Sequence, residues 1–102
     1  MTARYEIVID ERAVRAVGSL PVYDRARLAT HIAEQLTYEP TRPTGRKKRL
    51  RPLAVPWAAR SESPWQLRID PFRVLYDVDE TAKVVLVRSV RRKTRSKTEE
   101  LP

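Results

Sequence analysis

The feature that most constrains this chain is a pair of strand-like runs separated by two residues. Trp65-Gln66-Leu67-Arg68-Ile69 alternates apolar and polar side chains, and Phe72-Arg73-Val74-Leu75-Tyr76-Asp77-Val78 repeats the pattern. Alternate side chains of a strand point to opposite faces, so each run presents one apolar face. Asp70-Pro71 between them predicts a tight hairpin. A loop of even length pairs positions whose numbers sum to an odd value. Arg68 and Arg73 then share one face, opposite each other or on a neighbouring diagonal. Trp65, Leu67, Ile69, Phe72, Val74 and Tyr76 take the other face, which should meet helices. A slip of one residue would reverse this assignment. Two like charges side by side cost a few tenths to about 1 kcal/mol relative to a neutral pair. An anion between the guanidiniums removes that cost, and the arginine fork suits phosphate oxygens. The competing reading is local neutralisation by Asp70 or Asp77.

The rest of the chain supplies the elements around this hairpin. Tyr5–Ile9 predicts a first strand. Asp10 is placed to cap a short helix over Glu11–Val17, with Gly18 as its stop. Leu20-Pro21 opens a second helix, proline falling in the first turn. Leu28, Ala29, Ile32, Ala33 and Leu36 recur at helical spacing, and Tyr38-Glu39-Pro40 marks the end. Residues 40–64 are broken by five prolines and Gly45, which leaves room only for a short edge strand near Leu50–Val55. Asp79–Ala82 reads as a turn, and Lys83–Val90 as a last strand, apolar enough to lie inside the sheet. The expected fold is α+β: an N-terminal strand, a helical hairpin, then a three- to four-stranded antiparallel sheet. With 102 residues, no repeat and no linker, one domain over residues 1–102 is expected.

Charge is distributed unevenly over that scaffold. The chain carries 21 Lys and Arg against 13 Asp and Glu, a net charge of +8. Residues 40–61 hold seven bases and no acid; residues 81–98 hold seven more and no acid. The other 62 residues have a net charge of −6. Such segregation attracts polyanions or an acidic protein. Basic loops that merely keep a protein soluble are the plainer reading. Nothing amphipathic accompanies the basic runs, which weighs against a lipid surface.

Composition closes other routes. Without cysteine there is no disulfide and no thiolate metal site. One histidine, His31, cannot build a histidine metal cluster, and it reads as a partly packed helix residue. No metal or cofactor is expected. No apolar run reaches the length of a membrane span, and the N-terminus has no secretory signal, so a cytoplasmic protein with no membrane partner is expected. Tyr76 reads as core, Tyr23 and Tyr38 as packing residues, and Trp57 as a loop anchor.

The run from Trp65 to Asp79 resembles the strand-turn-strand signature of the RelE/ParE toxin superfamily: Leu-Arg-hydrophobic, a short turn, then aromatic-Arg-Val-hydrophobic-Tyr. Val84–Val90 followed by Arg91-Arg92-Lys93 is similar to the family's last strand and basic tail. The upstream order also agrees: Leu36 to Pro40, Gly45, the basic residues and Leu50. The resemblance implies a toxin of a type II toxin–antitoxin pair, bound by a cognate antitoxin protein. RelE-like members cut mRNA in the ribosomal A site. A ribose 2′-hydroxyl attacks the neighbouring phosphate while arginines and lysines stabilise the developing charge. ParE-like members share the fold, inhibit DNA gyrase and lack the nuclease residues.

Carried onto this sequence, the resemblance implies a catalytic set of Arg68, Arg73, Lys93 and Glu99. Arg73 matches the arginine beside the scissile phosphate, and Arg68 a neighbouring strand arginine. Lys93 stands at the tail arginine, and Glu99 near the tail tyrosine or histidine that serves as base. Arg46, Lys47, Lys48, Arg49 and Arg51 in the loop, with Arg91, Arg92 and Arg95 in the tail, are the expected RNA-binding residues. Gln66 and Pro64 stand where RelE-like nucleases often have lysines, and Lys47 and Lys48 are candidates to replace them from the loop. Ribosome and mRNA are the partners on the nuclease reading, gyrase on the alternative. A third alternative is a degenerate RNA-binding member without toxicity.

Overall fold

The structure, a computed structural model, describes residues 3–50 and 64–93. Its order is β1 (Glu6–Ile9), α1 (Glu11–Gly18), α2 (Val22–Leu36), β2 (Lys47–Arg49), β3 (Trp65–Ile69), β4 (Phe72–Asp79) and β5 (Val84–Arg92). The strands form one sheet in the order β1-β5-β4-β3-β2. The four strands β2 to β5 run antiparallel, as expected, and β1 joins β5 in parallel. The helical hairpin therefore carries the chain from one edge of the sheet to the other. The meander then walks back until β5 lies beside β1.

Local signals explain the helices. The Asp10 side chain accepts the Arg12 N–H at 2.8 Å and caps α1. Gly18 is the last helical residue rather than the stop, and Ser19 caps the end through its backbone. Pro21 is the N-cap of α2, one position earlier than expected, because its φ of −56° and ψ of 152° lie outside the helix. Leu28, Ile32 and Leu36 are buried, each one turn from the next. Ala29 and Ala33 are exposed, so the buried stripe is narrower than the apolar spacing predicts. Tyr23 and Tyr38 are also exposed, at 75% and 53%, and are not the packing residues expected.

The core is the helix stripe, Ala13 and Tyr5 against one face of the sheet: Trp65, Leu67, Ile69, Phe72, Val74, Tyr76, Val85, Val87 and Val90. Trp65 stacks on Tyr76 with 6.3 Å between ring centroids. The Tyr76 hydroxyl donates to the Pro40 carbonyl at 2.6 Å, tying the end of the helical segment to the sheet. Burial pushes the Tyr76 hydroxyl pKa well above its ordinary value.

Two strand boundaries differ from expectation. The edge strand comes earlier, at Lys47–Arg49, and Leu50 still donates to the Pro64 carbonyl at 2.8 Å. Residues 51–55 of the expected strand, and Trp57, lie outside the described residues. The last strand runs on through Arg91 and Arg92, which pair with Arg73 and Phe72. Pairing to the start of β4 carries the polar end of β5 into the ladder.

Candidate functional site

The hairpin register decides the site. Asp70-Pro71 is a two-residue turn, and Arg68 pairs directly with Arg73. On the next strand Arg73 pairs with Arg91. On the other side, the Arg68 N–H donates to the Arg46 carbonyl at 2.8 Å, and extending the Lys47–Leu67 register by one residue sets Arg46 across from Arg68. Arg46, Arg68, Arg73 and Arg91 thus form a row across the β2 to β5 end of the sheet, one residue per strand. Strands lie about 4.8 Å apart, so the row spans about 14 Å. It lies on the face away from the helices.

Arg91 reaches this row because of a bulge. The register between β4 and β5 shifts between Leu75 and Tyr76, leaving Arg88 as the extra residue. Beyond the shift Val90 pairs with Val74 in the core, and Arg91 falls opposite Arg73. Without the extra residue, Arg91 would turn to the helix side. The Arg88 guanidinium itself pairs with Asp77.

The parallel row beside the arginines holds Lys48, Gln66, Leu75 and Ser89. One carboxylate stands among these cations. Asp70 Oδ1 accepts from Arg73 Nη1 at 3.2 Å, and its Oδ2 lies 3.7 Å from Arg68 Nε. Arg73 Nη1 also donates to the Phe72 carbonyl at 3.0 Å. Asp70 therefore touches both arginines rather than neutralising only one. Among the described residues, Arg46, Lys48 and Arg91 have no acidic partner. The row keeps an excess of positive charge suited to a chain of phosphates.

The remaining expected binding residues are sorted by strand alternation. Lys47 lies on the core face, only 4% exposed, and its ammonium donates to the Gln35 and Glu39 carbonyls at 3.0 and 2.7 Å. It closes the C-terminal end of α2, where orphan carbonyls and the helix dipole favour a cation. Burial holds its pKa below the ordinary lysine value; Glu39 partly opposes this and Arg42 adds to it. Lys47 is thus a structural residue, not an anion contact. Arg49 sits at the edge in the register of Trp65, off the arginine face. Arg92 stands over the Phe72 ring at 4.9 Å, with Nη2 4.0 Å from Asp24 of α2, and also belongs to the helix side. Lys93 follows β5, its N–H donating to the Pro71 carbonyl at 2.6 Å. Arg51, Arg95 and Glu99 lie outside the described residues.

Among the described residues no His, Tyr or Glu stands in the two rows. His31 is half-buried on α2, its Nδ1 3.9 Å from Glu34. No group of described residues could hold a metal ion, and no described helix is long and apolar enough to cross a membrane.

Solved structures share this fold. The RelBE2 toxin–antitoxin complex from Mycobacterium tuberculosis contains a chain that superposes with a TM-score of 0.71 at 22% identity, covering 90% of this chain and 94% of that one. The isolated RelE toxin of E. coli gives 0.67 at 26% identity, over 94% and 92% of the two chains. The fold is that of the RelE/ParE-like toxin superfamily. The archaeal RelE–RelB complex from Pyrococcus horikoshii OT3 extends the RelE-like set, with a TM-score of 0.62 at 23% identity over 94% and 100% of the chains. No protein-family profile matches the chain, and no curated protein matches it.

Proposed function

We propose that this chain is a RelE-like toxin of a type II toxin–antitoxin pair, acting in the cytoplasm as a ribosome-dependent mRNA endoribonuclease. The row Arg46, Arg68, Arg73 and Arg91 carries the reading, because a line of guanidiniums on an open sheet face fits a phosphodiester backbone. In the reaction a ribose 2′-oxygen forms a bond to the adjacent phosphorus, and the bond to the 5′-oxygen of the next nucleotide breaks. The products are a 2′,3′-cyclic phosphate and a free 5′-hydroxyl. Arg73 and Arg68 stabilise the charge that grows on the non-bridging oxygens, while Arg46 and Arg91 hold the flanking phosphates. Glu99, with Lys93 before it, is the tail candidate for moving the proton. The solved complexes of RelE with RelB support a cognate antitoxin as the partner that covers this toxin.

The test is a translation extract supplied with purified protein and read by primer extension on the message. Cleavage that disappears with Arg73→Ala supports the nuclease reading. Intact message with unimpaired translation overturns it.

One observation favours a ParE-like reading instead. Gln66 of β3 and Pro64 just before it occupy positions expected to carry lysines, and Lys47 is buried, which leaves Lys48 of β2 in the row beside the arginines. A gyrase supercoiling assay with the same protein separates the two readings. Salt-dependent RNA binding without growth arrest on expression would mark a degenerate RNA-binding member.

A further inference from the structure

Asp70 does more in this structure than turn the chain. Its two carboxylate oxygens are divided between two arginines, Oδ1 toward Arg73 at 3.2 Å and Oδ2 toward Arg68 at 3.7 Å. That is the bridging position a phosphate between the guanidiniums would take. The turn is held from behind: Arg27 of α2 donates to the Asp70 carbonyl at 2.6 Å. The carboxylate itself is 71% exposed, while the Arg73 side chain is 20% exposed and is also fixed to the Phe72 carbonyl. The backbone of the turn and the Arg73 guanidinium are thus anchored, and the carboxylate is the part with room to swing.

We propose that Asp70 is a resident counter-anion of the Arg68–Arg73 pair, which a phosphate group must displace to bind. It holds two like charges together in the free protein and lowers the affinity of the pair for outside anions. Exposed ion pairs are weak, so the contact is displaceable, and a phosphate brings more oxygens and at least as much charge. This inference rests on the phosphate-binding reading of the row but asks a separate question of it.

Two probes decide it: inorganic pyrophosphate, and a short single-stranded RNA with 2′-O-methyl riboses that cannot be cleaved. Both are titrated against the wild-type protein and Asp70→Asn, with folding checked by circular dichroism. Asp70→Asn should tighten both probes about three- to tenfold, the size of losing two exposed ion-pair competitors. Glu80→Gln removes the same charge from the turn at the far end of β4, beyond the reach of screened electrostatics, and should change neither. The gain should vanish when Asp70→Asn is added to Arg68→Ala plus Arg73→Ala. An unchanged or weaker affinity for Asp70→Asn overturns the proposal, as does a gain that survives loss of both arginines. Pyrophosphate binding with the expected gain, but no RNA binding, keeps this inference and removes the RNA reading. RNA binding indifferent to Asp70 does the reverse.

Discussion

The two faces of the sheet are woven from the same strands, yet they obey different rules. On the helix side, Leu67, Val74, Tyr76, Val85 and Val87 are fully buried, and even a cation there, Lys47, is absorbed into the structure. On the open side, Arg68 and Arg73 face each other at a register position that costs stability. The basic segment 46–49 shows the contrast within four residues: Arg46 and Lys48 align with the open-face rows, Lys47 closes a helix end, and Arg49 pairs with Trp65, off the arginine face. Net charge alone does not reveal this sorting. Strand alternation does, because it sends every second residue to the opposite face.

The largest effect expected on either face comes from the core. Leu67→Ala removes a fully buried side chain at the centre of β3 and should cost about 2–5 kcal/mol of stability, measured by urea unfolding. The corresponding change on the open face, Arg73→Ala, should leave unfolding nearly unaltered. On the nuclease reading it should instead lower message cleavage by about 10²–10³-fold, the scale for losing one preorganised charge-stabilising group. Arg92→Ala is its partner control. Arg92 lies one residue from Arg91 but on the helix side, so cleavage should fall far less than with Arg91→Ala. Equal losses for Arg91→Ala and Arg92→Ala would break the two-face assignment.

Much of this was legible beforehand. Trp65–Ile69 and the Asp70-Pro71 turn follow from alternation and a two-residue break, and the direct pairing of Arg68 with Arg73 follows from parity. The α+β order, the Asp10 cap and the α2 stripe Leu28, Ile32 and Leu36 were equally readable. The place of Arg91 was not. Counting around the Asp79–Ala82 turn pairs Arg73 with an even-numbered residue, Arg88 in direct register and never Arg91, and the one-residue bulge at Arg88 reverses that parity. Bulges have no strong local sequence mark here; the useful signal is that Val90 is the last apolar residue of the strand and must stay in the core. Lys47 was hidden for a related reason. A lysine in a run of bases reads as solvated, and only the proximity of the α2 C-terminus to β2 gives its ammonium two carbonyls to meet.

A smaller effect separates Lys47 from its neighbour. Lys47→Met keeps most of the stem but leaves the Gln35 and Glu39 carbonyls without their donor, and should cost about 1–3 kcal/mol. Anion affinity should barely move. Lys48→Met should do the opposite, leaving unfolding unchanged and lowering the salt slope of RNA binding by about 0.7, the value for one phosphate contact on a single strand. If Lys47→Met weakens RNA binding and Lys48→Met does not, the face assignment of β2 is wrong.

The smallest effect lies in alkaline pH dependence, where Tyr76 and Lys47, both buried on the helix side, act with opposite signs. The Tyr76 hydroxyl has its pKa raised by burial above the ordinary value of 10.0, so between those values the folded chain keeps a proton that the unfolded chain has lost. Stability from Tyr76 is therefore complete below pH 10 and declines above it. Lys47 has its pKa lowered below 10.5, so the unfolded chain holds more protons in that window, and stability rises with pH as the buried ammonium is relieved. Urea unfolding across this range should show a rise followed by a fall. Tyr76→Phe should remove the fall and Lys47→Met the rise. In Arg68→Ala, which alters only the open face, both limbs should remain.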